Sequence, residues 1–465
     1  MKIIILGAGQ VGSSVAESLV SENNDITLVD TSRQQLELMR ERFELRTICG
    51  NGASPSILHE AGAKEADLLI AVTQSDQTNL CACRVARSLF NLPTRIARLH
   101  SGEFSQYPKL IAEEFAVDFS ICPEQIVTDY ISRLISFPGS LQVFDFANNT
   151  ISLIAAQAIE GGPIVGHPIR LLAENLGGVE TRIIALYRNG FSLQVNGDTL
   201  ILPGDEVFML AASAHIRQVL YQLRPVDRPM RRVLIGGGGN IGARLAMKIE
   251  DEYNVKVLEN NPRRAEDIAT ILSKSLVLRG DTTDEKLLEN EGIGETDIFV
   301  SLTNDDEDNI MSASLAKRMG ARRTIALINR RVYAGLVQGG PIDIALSPAL
   351  ISIGSLLTHI RRGDVVAVHS LRRGAAEALE IIAHGSYQES RIVGRRIADI
   401  DLPKGVTIGA LMREKKLEDD KVERQVIFAH HDTIIEQNDH VIIFCPHKRL
   451  VRQVEKLFQV GFGFF

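Results

Sequence analysis

Near the start of the chain, Gly7-Ala8-Gly9-Gln10-Val11-Gly12 has the residue types and spacing of a phosphate-cradling loop. The same pattern returns as Gly237-Gly238-Gly239-Asn240-Ile241-Gly242. In such a loop the first glycine permits a sharp turn, the second lets backbone N–H groups approach a diphosphate, and the third lets a helix sit close to the preceding strand. The helix that opens there turns its positive N-terminal end toward the anion. An acid follows at the end of the next apolar run: Asp30 stands 18 residues beyond Gly12, and Glu259 stands 17 beyond Gly242. At that position a carboxylate accepts hydrogen bonds from an adenosine ribose. It also repels a ribose 2′-phosphate, so the pattern favours NAD or NADH over NADP, while ATP and ADP can still bind through ribose and diphosphate. The alternative is that Asp30 only ends a strand or caps the following helix.

Further candidates follow in each copy. Thr73-Gln74-Ser75-Asp76 and Thr303-Asn304-Asp305-Asp306 lie after a fourth strand, at the carboxyl end where open sheets place ligands. Their side-chain oxygens either reach nucleotide groups or serve as helix N-caps. Asn51 and Asp281 each follow a glycine at the end of a third strand, and either face an adenine or shape a turn. Arg98, at the end of a fifth strand, is placed to pair with phosphates. With one residue of gap its counterpart is Leu327, so the two sites are expected to differ.

For these residues to converge, strands and helices must alternate, and the chain supplies the alternation twice. Gly50 recurs as Gly280, Asp67 as Asp297, Thr73 as Thr303, Asp76 as Asp306 and Asn79 as Asn309, all at the 230-residue offset that relates the two glycine loops. A period of that length indicates duplication of a module with more than one domain, not a short solenoid unit. In the first copy, strands are expected at Ile3 to Leu6, Ile26 to Asp30, Leu45 to Ile48, Asp67 to Thr73 and Arg95 to Leu99, with helices after the glycine loop, near Ser54 to Ala61 and near Asn79 to Phe90. That order predicts a parallel, doubly wound sheet. Residues 140–225 turn to period-two stretches, as do the residues after 364 in the second copy. The fold class expected is α/β, with two Rossmann-like doubly wound domains (1–124 and 230–348), each followed by a small α+β domain (140–225 and 364–458). The linkers expected are Phe137-Pro138-Gly139, Arg224 to Met230, and the stretch around Arg361 to Gly363.

Composition narrows the function. Among 465 residues, 45% hydrophobic and 23% charged describe a folded chain, neither disordered nor a charged rod. The net charge of -7 gives nucleic acid no electrostatic footprint. All of that excess lies before residue 231, where 18 basic side chains meet 25 acidic ones, whereas the remainder carries 33 of each. Five cysteines without CxxC spacing suit a reducing compartment and support neither a disulfide framework nor a metal site. The start has only four apolar residues before Gly7, too few for a signal-peptide core. Runs such as Ile151 to Ala156 fall far short of the roughly 20 residues a membrane helix needs, so a membrane partner would be met by docking and not by insertion. A dehydrogenase would require a proton-transfer group beside the nicotinamide. His430-His431-Asp432 is the densest cluster of that kind and reads as a polar turn, so no catalytic residue is expected. Two rival readings are an NAD-dependent oxidoreductase with duplicated cofactor domains and a transcriptional regulator. The second lacks a visible helix-turn-helix or basic stripe.

At Met1 to Gly12, Asn23-Asn24-Asp25-Ile26-Thr27, Gly237 to Gly242, Thr303-Asn304-Asp305-Asp306 and Asn309-Ile310-Met311-Ser312-Ala313, the chain resembles the RCK (KTN) family, the NAD-binding regulatory subunits of bacterial Trk-type potassium uptake systems. The resemblance covers essentially the whole chain and implies the domain order RCK-N, RCK-C, RCK-N, RCK-C. It implies a cytoplasmic protein, peripheral on the inner face of the plasma membrane, that forms a dimeric or tetrameric ring beneath a membrane-embedded Trk potassium-translocating subunit. Nucleotide binding would rotate the RCK-N domains and change gating, while the RCK-C domains hold the assembly together. It further implies that the first nucleotide is held by the loop from Gly7 to Val11, Asp30, Thr73, Gln74 and Arg98, and another by the matching second-copy positions. Asn51 departs from the Asp common after the glycine in this motif, which weakens the adenine contact expected in the first copy.

Overall fold

Runs such as Ile3–Leu6 and Val233–Ile235 are buried at every position, as a central parallel strand covered on both faces requires. In the computed structural model, which describes the chain apart from residues 21–23, 101–103, 105, 226–228, 338, 361–364, 417–421 and 461–465, each of these runs is the third strand of a six-stranded sheet. The first sheet comprises β1 (Lys2–Leu6), β2 (Asp25–Asp30), β3 (Arg46–Cys49), β4 (Leu68–Ala71), β5 (Thr94–Arg98) and β6 (Phe119–Ile121). Its order is β3-β2-β1-β4-β5-β6 and its pairings are parallel. The order reverses beside β1, so the crevice at the carboxyl ends of β1 and β4 is where a doubly wound sheet places a ligand.

The small domain that follows is a five-stranded antiparallel sheet of β7 (Ser140–Phe146), β8 (Ile151–Gln157), β9 (Thr181–Arg188), β10 (Phe191–Leu193) and β11 (Glu206–Ala212), in the order β10-β9-β11-β8-β7. The second copy repeats both units. Strands β12 (Arg232–Gly236), β13 (Asn254–Glu259), β14 (Leu276–Arg279), β15 (Ile298–Ser301), β16 (Arg323–Leu327) and β17 (Ile344–Leu346) form a parallel sheet in the order β14-β13-β12-β15-β16-β17. Strands β18 (Val365–Leu371), β19 (Ala376–Ile382), β20 (Thr407–Lys416), β21 (Val422–Phe428) and β22 (His440–Cys445) form the last sheet, in the order β18-β19-β22-β20-β21.

The structure refines the expectations at particular points. The helix expected from Asn79 begins at Asp76, because Ser75 caps it by accepting the Thr78 N–H at 3.1 Å. Phe137-Pro138-Gly139 is a turn leading into β7, with Gly139 at φ +93°. The other two linkers fall partly or wholly outside the described residues, at 226–228 and 361–363. Two helices occupy the intervals left between the expected domains: Pro123–Ser136, directly after β6, and Pro348–Ile360, directly after β17. Both begin with proline, which suits the first helical turn because its N–H is missing where no partner exists.

These two helices tie the copies together crosswise. The glycine-loop helix Gln10–Val20 packs on Pro348–Ile360 of the other copy, and the glycine-loop helix Asn240–Ile249 packs on Pro123–Ser136. The two crossover helices also pack on one another. One apolar core accordingly joins Ile5, Val15 and Leu19 of the first Rossmann domain to Leu356, Leu379 and Val441 of the second copy. Another joins Ile131, Leu134 and Leu210 of the first copy to Ile235, Leu245 and Ile325 of the second. Each Rossmann domain thus shares one core with the small domain of the other copy and keeps a second core of its own residues. Phe208 and Phe444, with ring centroids 6.3 Å apart, bring the two small sheets together.

Gly354 sets how closely the Pro348–Ile360 helix lies on β18 of its own copy, since a Cβ added there would lie 2.2 Å from the backbone carbonyl oxygen of Val368. Backbone cannot swing aside as a side-chain end can. Gly354→Ala should therefore cost about 1–3 kcal/mol, read as a lower urea midpoint for the intact chain; an unchanged midpoint would contradict this packing.

Candidate nucleotide sites

Both glycine loops are shaped by contacts that leave no room for side chains. Gly7 and Gly237 adopt φ +103° and +97°, a region open to glycine at little cost. A Cβ on Gly12 would lie 1.8 Å from the Gly7 carbonyl oxygen, and one on Gly242 would lie 2.0 Å from that of Gly237. By contrast, a Cβ on Gly9 or Gly239 would meet nothing within 4 Å. Gly9, Gln10, Gly239 and Asn240 are exposed on the open side of the turn, where a diphosphate would approach the helix N-terminus. Ala8 and Gly238 are buried, and Val11 and Ile241 turn partly or wholly inward.

The two acids hold these loops directly. Asp30 Oδ2 accepts the Ala8 N–H at 2.6 Å, while Oδ1 accepts the Ser32 N–H at 2.7 Å. Glu259 Oε2 accepts the Gly238 N–H at 2.8 Å, and Oε1 accepts the Asn261 N–H at 2.8 Å. An ionised carboxylate has about four acceptor positions. Each acid thus braces its loop with two and retains others for hydroxyl donors.

Across the crevice, a second device is also built twice. Asn79 is fully buried, and its Oδ1 accepts both the Thr73 N–H at 3.0 Å and the Thr73 hydroxyl at 2.7 Å. Its amide donates to the Thr73 carbonyl at 3.2 Å and the Arg98 carbonyl at 2.9 Å. Asn309 does the same for Thr303, at 2.8 Å in both accepted bonds, and for the Leu327 carbonyl at 2.9 Å. This geometry places Arg98 and Leu327 at equivalent positions. The hydroxyls of Thr73 and Thr303 are already engaged with asparagine, and Gln74 and Asn304 beside them are exposed. Asp76 accepts the His100 N–H at 2.8 Å and Asp306 accepts the Asn329 N–H at 2.7 Å, so the first turn of each following helix grips the chain leaving the next strand.

The second crevice gathers Gly237, Gly239, Glu259, Asp281, Thr303 and Asn304 around a cleft of about 210 Å³. Asp281 and Asp308 add carboxylates where the first copy has Asn51 and Thr78. Hydrogen bonds from the Thr283 N–H and hydroxyl hold the Asp281 carboxyl below its ordinary range. Loss of hydration, together with the neighbouring Asp305 and Asp281, pushes Asp308 upward. Asn51 makes the same turn, accepting the Ala53 N–H at 2.9 Å as Asp281 accepts that of Thr283 at 2.8 Å. Arg98 is joined to Glu124 at 2.7 Å, at the start of the Pro123–Ser136 helix. From the other copy, Arg244 donates to the His100 carbonyl and to Gln125 Oε1, each at 3.1 Å. The sequence reading used Asn79 and Asn309 only as landmarks of the repeat and passed over Glu124 and Arg244. The shared 230-residue offset was the available signal for the asparagines, whereas nothing in the local sequence marks a contact between copies. His430-His431-Asp432 forms a turn between β21 and β22. Among the described residues no group of three or more His, Cys, Asp or Glu side chains is arranged to hold a metal ion.

A duplicated doubly wound fold with paired glycine loops defines the class, a tandem Rossmann-type protein. Comparison with known proteins supplies the family. The TrkA-N domain model matches residues 3–121 and 233–348, and the TrkA-C domain model matches 154–223 and 387–459. The chain is 51% identical to the Trk system potassium uptake protein TrkA of Halomonas elongata, over 100% of both chains. It is 50% identical to the protein of the same name from Vibrio alginolyticus, over 99% of both. The chain belongs to the TrkA family. Among solved structures, the GsuK RCK domain shares its fold with a TM-score of 0.62 at 17% identity, over 98% of this chain and 94% of that one. The GsuK channel does so at 0.63 and 17%, over 98% and 78%. Members of the family are regulatory, non-catalytic subunits, and this chain is a regulatory subunit and not an enzyme.

Because Asn79 and Asn309 each satisfy a strand end and a loop at once, Asn309→Ala should leave the Thr303 N–H and the Leu327 carbonyl without their partner. The expected cost is about 1–3 kcal/mol, measured as a shift in the denaturant midpoint. A shift within the error of a surface substitution would show that the contact holds nothing together.

Proposed function

We propose that the chain is the cytoplasmic nucleotide-sensing subunit of a Trk-type potassium uptake system. It binds NAD or NADH at its glycine loops and admits ATP or ADP there. It gates a membrane-embedded potassium-translocating subunit on which it docks as a homo-oligomeric ring, peripheral to the inner face of the plasma membrane. The observation that carries this reading is the acid brace: in each copy one carboxylate fixes the loop that would receive the diphosphate and keeps acceptor positions for the ribose. The same carboxylate disfavours a 2′-phosphate. Related support comes from a structure sharing this fold, with a TM-score of 0.61 at 16% identity, that is described as the GsuK channel bound to NAD. Docking without insertion agrees with the absence, among the described residues, of any helix long and apolar enough to cross a membrane.

The two sites should not be equivalent. Asp281 and Asp308 raise the negative charge around the second cleft, so the more highly charged ATP should be penalised there relative to NADH. In the first site, Arg98 has to be shared between Glu124 and any phosphate. A ligand shifts a conformational equilibrium only by its difference in affinity between states. The crossed packing supplies such a difference, since each glycine-loop helix rests on an element of the other copy.

Calorimetric titration of NADH, NAD, NADP, ATP and ADP tests the reading. Wild type should bind NADH and bind NADP much more weakly. Asp30→Ala and Glu259→Ala should each weaken NADH at the altered site by roughly 10- to 150-fold, the equivalent of losing hydrogen bonds to a charged group worth about 1.5–3 kcal/mol. Absence of binding by all five nucleotides would overturn the proposal.

A further inference from the structure

Away from both glycine loops, a cavity of about 480 Å³ opens where the first small domain meets the second Rossmann domain. Three arginines line it: Arg224, Arg322 and Arg323. Arg323 is 7% exposed, and among the described residues its guanidinium donates to the backbone carbonyls of Leu134 at 3.2 Å and Ser140. Arg224 is half-buried and donates to the Gly139 carbonyl at 3.4 Å. Arg322 lies 4.0 Å from Asp297. Among the described residues two carboxylates stand on the cavity wall: Glu206 pairs with Arg372 at 3.2 Å, and Asp343 pairs with Lys317 at 2.8 Å while its charge also favours the cationic forms of Arg224 and Arg323. Loss of hydration lowers Arg224 and brings Arg323 down to about 10, so both remain cationic near neutral pH.

Burying a guanidinium away from a direct carboxylate contact is costly, and the other copy has uncharged side chains at the matching positions. Arg323 pairs in register with Ile298 just as Thr94 pairs with Leu68. Arg322 therefore corresponds to Pro93. Arg224 caps the Ile216–Leu223 helix just as Gln459 caps Val451–Phe458. At these three positions the other copy thus has proline, threonine and glutamine.

We propose that this cavity is a separate ligand site that takes a phosphate-bearing small anion, clamped between the first small domain and the second Rossmann domain. Guanidinium groups present planar forks of donors that match phosphate oxygens. Several of them facing a cavity of this size suit a polyvalent anion better than a single carboxylate. The site is independent of the glycine loops, and its occupancy would stiffen the junction that the loop helices depend on.

The probe is inorganic pyrophosphate, titrated by calorimetry into the full chain carrying Gly9→Asp and Gly239→Asp. Those two positions are open, and a carboxylate there repels phosphate from both glycine loops. Binding should persist in this background and weaken at least tenfold when Arg224→Gln and Arg323→Thr are added, which installs the residues the other junction already uses. Arg224→Gln alone should weaken it in the same direction, and this covers the case in which the pair lowers stability. Equal affinity with and without the arginines, or no binding in the background protein, would overturn the assignment. NADH binding by wild type is a separate readout, so failure here is distinguishable from failure of the nucleotide-sensing reading.

Discussion

A glycine-loop helix has two faces to cover, and in this chain the second face is covered by the other copy. In Gln10–Val20 the buried positions are Val11, Gly12, Val15, Ala16, Ser18 and Leu19, an arc too wide for one sheet to cover. Part of it packs on the home strands and the rest on Pro348–Ile360. Asn240–Ile249 shows the same width and packs on Pro123–Ser136. With each fully buried aliphatic side chain worth about 1.5–3 kcal/mol, these contacts make the two halves mutually dependent. The apolar cores show the same dependence: beside a core of its own residues, each Rossmann domain contributes to a second core shared with the other copy. Duplication in one chain thus builds covalently what two separate chains would have to find by association.

The sites inherit this arrangement. The braced loop lies at the N-terminal end of the very helix that docks on the other copy, and Arg244 extends the connection by reaching from the second loop helix to the His100 carbonyl and Gln125. The Asn79 and Asn309 latches fix the opposite wall of each crevice. A ligand that closes the crevice must therefore move a loop, a latch or the docked helix. The loop and the latch are each held by directional hydrogen bonds, whereas the docked helix is held mainly by apolar packing. The departures from symmetry, Arg98 against Leu327, Asn51 against Asp281 and Arg323 against Thr94, lie around this frame and leave it unchanged.

Much of the architecture was legible in the sequence because duplication writes each landmark twice. The strand order, the turn glycines and the acids at Asp30 and Glu259 follow from local periodicity and spacing. What escaped was everything that depends on meeting between copies. The helices Pro123–Ser136 and Pro348–Ile360 fell between the expected domains because their apolar faces serve partners some hundred residues away or more. Asn79 and Asn309 carry no sequence signature of a buried latch, since an asparagine at a helix start reads equally well as exposed. The charge balance hid a further feature: the second half is neutral overall, yet Arg322 and Arg323 come together in space with Arg224 of the first half.

The central claim is that occupancy of one glycine loop is felt in the other copy through the docked helices. Hydrogen–deuterium exchange of the intact chain with and without NADH tests it most directly. NADH is expected to change the exchange of residues 348–360 in wild type, and that change is expected to disappear in Asp30→Ala. A response confined to residues of the first Rossmann domain, with 348–360 unaffected, would contradict the account.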